Sequence, residues 1–186
     1  MNDQRHGKGT FTWDKTANYV GDFVQDKREG NGVMVYKDGS KYEGGWKADK
    51  RDGKGTMTWA DGSKYDGQWK DDVREGQGVH TWKDEKGKAN KYEGNYKNGK
   101  RSGKGVCNYP DGSKYTGSFD DGARSGEGEF NFSDGSSYKG TWKNDKMEGK
   151  GAMKWKTGVK FEGTWVDGQA KAGKHTDEKG VERDIK

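Results

Sequence analysis

A period of 23 residues constrains this chain more than any other feature. Gly-x-Gly pairs begin at Gly7, Gly30, Gly53, Gly76, Gly103, Gly126 and Gly149, every 23 residues apart from one step of 27. A Tyr or Phe recurs in the same way at Tyr19, Tyr42, Tyr65, Tyr92, Tyr115, Tyr138 and Phe161. Comparing the two series places the four extra residues within "KDEKGKAN", between Trp82 and Tyr92. Self-similarity at such a period marks a repeat architecture, in which one supersecondary unit stacks on the next. Seven repeats follow, at 7–29, 30–52, 53–75, 76–102, 103–125, 126–148 and 149–172. Residues 1–6 read as the end of a preceding repeat, since "RHGKG" matches the ends of the others. Residues 173–186 read as a charged tail: Gly173 opens an eighth repeat that fails at once, because His175 stands where a second glycine is due.

Positions are counted from the first glycine of each repeat as zero, with the insertion allowed for. Position 6 holds Trp13, Tyr36, Trp59, Trp82, Tyr109, Phe132 and Trp155, and position 12 holds the Tyr/Phe series above. Position 16 holds Phe23, Trp46, Trp69, Tyr96, Phe119, Trp142 and Trp165. These columns take 21 of the 23 aromatic residues, so the rings belong to the repeat; Phe11 and Phe130, at position 4, are the other two. Rings and the glycines at 2 and 14 all fall on even positions, and a period of two means strands. Between positions 6 and 12 lies "KDGSK", "ADGSK" or "PDGSK". Asp-Gly between alternating runs is a hairpin signal, expected to place both residues at positive φ. Position 19 is Asp or Gly in every repeat and serves as a second turn. Each repeat therefore predicts one β-hairpin, and the insertion predicts a longer loop on one of them.

The odd face carries residues such as Lys41, Glu43, Lys64 and Asp66 and should be wet. Glycines on the ring face weaken a strand. A ring lying across a glycine covers the bare backbone, so a single layer of hairpins can protect itself without a second sheet.

Composition agrees with a core of rings. There is no Leu and one Ile, and Leu, Ile, Val and Phe together make 17 of 186 residues. That is a level at which disorder is the default, but disordered chains are poor in aromatics. Lys and Arg number 36 against 31 Asp and Glu, a net charge of +5. So small and interspersed an excess does not announce nucleic acid. The single Cys107 excludes an internal disulfide and fits a reducing compartment. At position 4 it reads as a small buried hydrophobe. No apolar run approaches the length of a membrane span, and no signal-peptide apolar region follows Met1. A cytoplasmic location is the expectation.

The chemistry of sites gives little. No glycine pair continues as a phosphate-binding loop into a helix. His6, His80 and His175 occupy scattered places and make no metal set with one cysteine. The carboxylates lie in solvent-facing columns and turns, where nothing separates two pKa values for acid–base work. One charged column does stand out. Arg5, Arg28, Arg51, Arg74, Arg101 and Arg124 each precede a glycine pair by two residues, and the next residue is acidic in Glu29, Asp52, Glu75 and Glu148. This column is either a surface Arg–carboxylate ladder worth little per pair or a row of planar donors for a partner's carboxylates or for lipid phosphates. The rings divide similarly between core and an exposed binding stripe. The candidate partner-binding residues are Arg28, Arg51, Arg74, Arg101 and Arg124 with Trp46, Trp69 and Tyr96.

The pattern Gly-x-Gly, Trp-x-Asp-Gly-x-x-Tyr-x-Gly-x-Trp, with Tyr42, Gly44 and Trp46, Tyr65, Gly67 and Trp69, or Tyr138, Gly140 and Trp142, resembles the MORN repeat (membrane occupation and recognition nexus) over about 165 residues. The resemblance implies an all-β fold: seven consecutive hairpins side by side in an elongated, single-layer antiparallel sheet with a groove and no helical domain. It also implies a non-catalytic scaffold in a cytoskeletal or ciliary assembly that holds an amphipathic helix or coiled coil, with no cofactor. Several family members dimerise end to end, so a homodimer through the uncovered edge of the last complete hairpin, the C-terminal repeat, is one expectation; the charged tail "DEKGVERDIK" shielding that edge is the other. The alternative is a module for phosphoinositides or other anionic phospholipid at a membrane surface. Such repeats also accompany kinases and methyltransferases, but this chain leaves no room for a catalytic domain.

Overall fold

A computed structural model describes residues 4–186, so the start of the expected preceding repeat lies outside the described residues. The strands are β1 (Gly7–Thr12), β2 (Asn18–Val24), β3 (Lys27–Val35), β4 (Lys41–Lys47), β5 (Lys50–Thr58), β6 (Lys64–Lys70), β7 (Val73–Lys83) and β8 (Ala89–Lys97). They continue as β9 (Lys100–Asn108), β10 (Lys114–Asp120), β11 (Ala123–Asn131), β12 (Ser137–Lys143), β13 (Lys146–Lys154), β14 (Lys160–Val166), β15 (Gln169–Thr176) and β16 (Glu182–Ile185). The fold is all-β, one open antiparallel sheet whose strand order is the chain order. Two compact units are distinguished, residues 1–87 with 95–100 and residues 88–94 with 101–186.

The two glycines of each Gly-x-Gly pair have different duties. Pairing runs Gly44 to Gly55 and then Trp46 to Arg51, so Asp52, Gly53 and Lys54 face a single residue, Gly45. Gly53 absorbs this bulge with a φ of +86°, in the left-handed region that glycine reaches without strain. Gly55 instead lies opposite Gly44, and the Tyr42 ring covers both. The same relation holds for Tyr65 over Gly67 and Gly78, and for Tyr138 over Gly140 and Gly151. The tyrosines of position 12 are thereby wholly buried in a single-layer sheet. Each hydroxyl finds a partner, as where Tyr42 donates to the Gly45 carbonyl at 3.0 Å.

Position 16 completes the core. Trp46 stands edge-on to Tyr42 at 5.2 Å and to Tyr19 of the preceding repeat at 5.4 Å, and Trp69 bridges Tyr65 and Tyr42 in the same way. In the second unit Trp142 bridges Tyr138 and Tyr115. These T-shaped contacts suit the ring quadrupole and tie each hairpin to its neighbour. The indole N–H groups are satisfied too: Trp69 Nε1 donates to the Gly55 carbonyl at 3.1 Å.

Three expectations need correction. The Asp-Gly loops do not place both residues at positive φ. Gly39 does, at +85°, but Asp38 does not. The Asp38 carboxylate accepts the Ser40 N–H at 2.9 Å, an Asx turn within a three-residue loop closed by Tyr36 N–H to Ser40 carbonyl. The doubly positive turns lie at positions 18 and 19 instead, as at Ala48 (+47°) and Asp49 (+69°). This twist matches that of the flanking strands.

The insertion does not lengthen a loop. β7 has eleven residues where β5 has nine, and β8 has nine where β6 has seven. The loop at Asp84–Gly87 keeps the closure of the others, with Gly87 N–H to Asp84 carbonyl at 2.9 Å.

The segment after Gly173 is not a loose tail. β15 pairs with β14 and β16 with β15, giving sixteen strands among the described residues where seven hairpins predict fourteen. Gly173 faces Gly163 and His175 faces Phe161, just as Gly151 faces Gly140 and Met153 faces Tyr138. Gly173 is thus the second glycine of a repeat shortened by one residue at the bulge, and His175 takes position 4.

Candidate partner-binding surface

The arginine column lies between the rings and the turns. Arg28 Nε donates to Asp49 Oδ1 at 3.0 Å and Nη2 to the Asp49 carbonyl at 2.7 Å, while its backbone N–H reaches the same Oδ1 at 3.0 Å. Arg51 with Asp72 and Arg124 with Asp145 repeat this geometry. The partner is therefore the position-19 aspartate of the next repeat, not the adjacent acid. The adjacent acid caps the turn instead, with Glu29 accepting the Ala48 N–H at 2.9 Å and Glu148 the Asp167 N–H at 3.0 Å. Burial is the largest influence on Asp49 and opposes its charge, yet the Arg28 N–H groups hold its carboxyl below the ordinary carboxylate range.

Each guanidinium also covers a ring. Arg28 lies 4.2 Å from the Trp46 ring centroid, Arg51 4.3 Å from Trp69 and Arg124 4.4 Å from Trp142, within cation–π range. Arg74 lies 5.0 Å from Tyr96, and Arg101 5.2 Å from Phe119. The structure thus brings each candidate arginine to a position-16 ring. Trp46, Trp69 and Tyr96 themselves are core residues, no more than 5% exposed.

The open rings are those of position 6, which sequence reasoning did not single out as a site. Tyr36, Trp59, Trp82, Tyr109, Phe132 and Trp155 are half-buried and Trp13 is exposed. The signal was available. Rings at 12 and 16 have glycines to lie on, whereas position 6 meets position 10 across the loop, as Tyr36 meets Ser40, and no glycine stands there. His80, at position 4, stacks on Trp82 at 4.9 Å and stands edge-on to Trp59 at 5.8 Å. In the first unit Trp59 and His80 border an open cleft of about 570 Å³ together with Trp69 and Arg74. In the second unit Phe130 links Tyr109, Phe132 and Trp142.

Cys107 is fully buried, and burial pushes its thiol up from the ordinary value, which leaves it a packing residue rather than a nucleophile. Among the described residues, no group of three or more His, Cys, Asp or Glu is placed to hold a metal ion.

The family profile described as "MORN repeat" matches eight segments, at 1–15, 19–41, 42–64, 65–85, 92–114, 115–137, 138–160 and 161–170. No curated protein matches the chain. A solved structure titled as the SAS-4 (dCPAP) TCP domain in complex with a proline-rich motif of Ana2 (dSTIL), from Drosophila melanogaster, aligns over 96% of this chain and 89% of that one. Its TM-score is 0.44 at 11% identity, a likeness too loose to carry a functional inference.

Proposed function

The chain belongs to the MORN-repeat family, a non-enzymatic repeat family, and from that premise we propose that it is a scaffold holding an amphipathic helix or coiled coil of a partner protein along the position-6 rings within a unit. The observation that carries this reading is the difference between columns: rings at 12 and 16 are buried, while those at 6 stay half-open on the same face. Exposed rings in a row mark binding surfaces. The spacing suits a helix. Equivalent rings recur every two strands, about 9.6 Å, and a helix repeats an equivalent face every seven residues, about 10.5 Å. A cytoskeletal or ciliary assembly is the setting in which such a scaffold would act. Anionic phospholipid is a weaker reading, because Arg28, Arg51 and Arg124 are already held by aspartates.

The test is a displayed library of amphipathic helical peptides, screened on the wild type and on a Trp59→Ala/Trp82→Ala variant with unchanged melting. Helical binders that weaken at least tenfold on the variant support the proposal. Binders indifferent to the variant overturn it, as does salt-sensitive binding to anionic vesicles in place of peptides. A bound segment that stays non-helical would point instead to polyproline, whose turn of three residues spans about 9.3 Å.

A further inference from the structure

The Arg–Asp ladder has a vacancy. At Arg28, Arg51 and Arg124 one aspartate Oδ1 accepts both the side-chain Nε–H and the backbone N–H. At Arg74 the same turn position is Gly99, which has no carboxylate to offer. Arg74 Nη2 donates to the Gly99 carbonyl at 2.8 Å, matching the 2.7–3.0 Å of Arg28, Arg51 and Arg124. The guanidinium therefore keeps its place beside Tyr96 and Tyr65 and lacks only its counter-charge. Arg74, Gly99 and Val73 line the open cleft together with Trp59, Trp69 and His80. The carboxylates near it are engaged elsewhere: Asp72 with Arg51, Asp61 with Ser63, and Glu75 with the Asn98 N–H.

We propose that Arg74 takes a carboxylate from a bound acidic peptide segment, which enters the cleft and occupies the place that Asp49 and Asp72 hold in neighbouring turns. The inference rests on the partner-binding reading above and names the chemistry of its polar contact. A carboxylate fits because the ladder itself shows what the arginine donates to, one oxygen that accepts both Nε–H and a backbone N–H, in a setting where charge-assisted bonds are strong. The second unit carries the same substitution by itself, with Arg101 Nη2 donating to the Gly122 carbonyl at 2.7 Å.

The chain can be made to fill its own vacancy. Gly99 has a φ of +79°, and Asp49 and Asp72 each adopt +69° at this turn position. A Cβ on Gly99 would meet only Val73 Cγ1, at 3.6 Å. Gly99→Asp should therefore fold and pair with Arg74. The probe is the blocked peptide acetyl-Ala-Phe-Glu-Phe-Ala-amide, titrated into the isotope-labelled chain, with its Gln counterpart and inorganic phosphate as separate arms. The Arg74 Nε–Hε resonance should move saturably with the Glu peptide and at least tenfold more weakly with the Gln peptide. In Gly99→Asp it should already lie near that of Arg51 and no longer respond. Equal response to the Gln peptide, an unchanged response in the variant, or an equal response to phosphate each overturn the proposal. Indole resonances of Trp59 and Trp82 separate the two readings. If they move with both peptides while Arg74 does not discriminate, the ring surface stands and the carboxylate site falls. If Arg74 responds to the Glu peptide alone and the indoles stay still, the carboxylate site stands without the ring surface. If neither Arg74 nor the indoles move, the carboxylate site falls, and the helix-binding reading is decided by the helical peptides above.

Discussion

The phenol of Tyr42 lies so close over Gly55 that a Cβ on that glycine would fall inside the ring's van der Waals envelope. The contact turns a glycine, usually a weak point of a strand, into the floor of the core. Gly55→Ala must displace a wholly buried ring, and overpacking of this kind costs about 1–3 kcal/mol. Gly9→Ala is the matched control. It occupies the same repeat position, but its Cβ would meet only the Phe23 ring at 3.7 Å, and the expected change is below about 0.5 kcal/mol. Urea melts of the two variants check this; equal losses would mean that the ring does not rest on the glycine.

The tyrosine column predicts how the fold responds to alkali. Burial pushes the Tyr19, Tyr115 and Tyr138 phenols up to about 12, against an ordinary value near 10. The fold thus holds the neutral phenol. The stability this contributes is complete below pH 10 and is lost as pH rises from there toward 12. On the acid side, hydrogen bonds from Ser40, Ser113 and Ser136 hold Asp38, Asp111 and Asp134 below the carboxylate range. That smaller contribution is present above the ordinary aspartate value near 4 and is lost as pH falls through the lowered values. Tyrosinate absorbance and circular dichroism followed together from pH 8 upward should change in a single step above pH 10. Ionisation near pH 10 with the sheet intact would contradict the burial.

Trp69 and Trp165 test what the arginine column adds. Both rings are about equally buried, both bridge two position-12 rings, and both donate Nε1–H to a glycine carbonyl. Only Trp69 has a guanidinium over it, that of Arg51; at the same repeat position before Trp165 stands Met147, whose carbonyl accepts the Gly168 N–H as that of Arg51 accepts the Asp72 N–H. Trp69→Ala should cost about 3–5 kcal/mol, and Trp165→Ala less by about 1 kcal/mol, the worth of a partly desolvated cation–π contact. Arg51→Met should remove most of that difference. A difference that survives Arg51→Met would have to come from elsewhere.

The ring columns and hairpins were legible because period two and the 23-residue repeat report burial directly, and Tyr42, Gly44 and Trp46 do in the structure what their spacing implies. The partner of the arginines was less legible. Glu29 follows Arg28 in sequence, but the side chain turns to Asp49, 21 residues on, since strand pairing brings the next turn beside it. The missing aspartate at Gly99 becomes meaningful only once that pairing is known. The last repeat is hidden for a different reason: losing one bulge residue shifts Gly173 by one place, and a fixed-period count then treats it as a failed first glycine. Local conformation was the least legible, because Asp-Gly serves equally in a primed turn and in the three-residue loop seen at Asp38 and Gly39.

The edge beyond β14 yields the last prediction. β14 carries Phe161 and Trp165 on its buried face, and β15 covers its free hydrogen-bonding side. β16 then forms the edge with only four residues, Glu182, Arg183, Asp184 and Ile185, all exposed, and Lys174 pairs with Glu182 at 2.9 Å. A short, charged strand is how sheets discourage pairing with another copy. The 186-residue chain should therefore not self-associate through this edge. A chain ending at Gly168, which bares β14, should do so in a concentration-dependent way. Light scattering with sedimentation velocity on both forms decides the matter. A monomer in both cases would show that β14 is not a template. A dimer of the full chain that disappears on truncation would make β15 and β16 the contact itself and restore the end-to-end homodimer expected from the family resemblance.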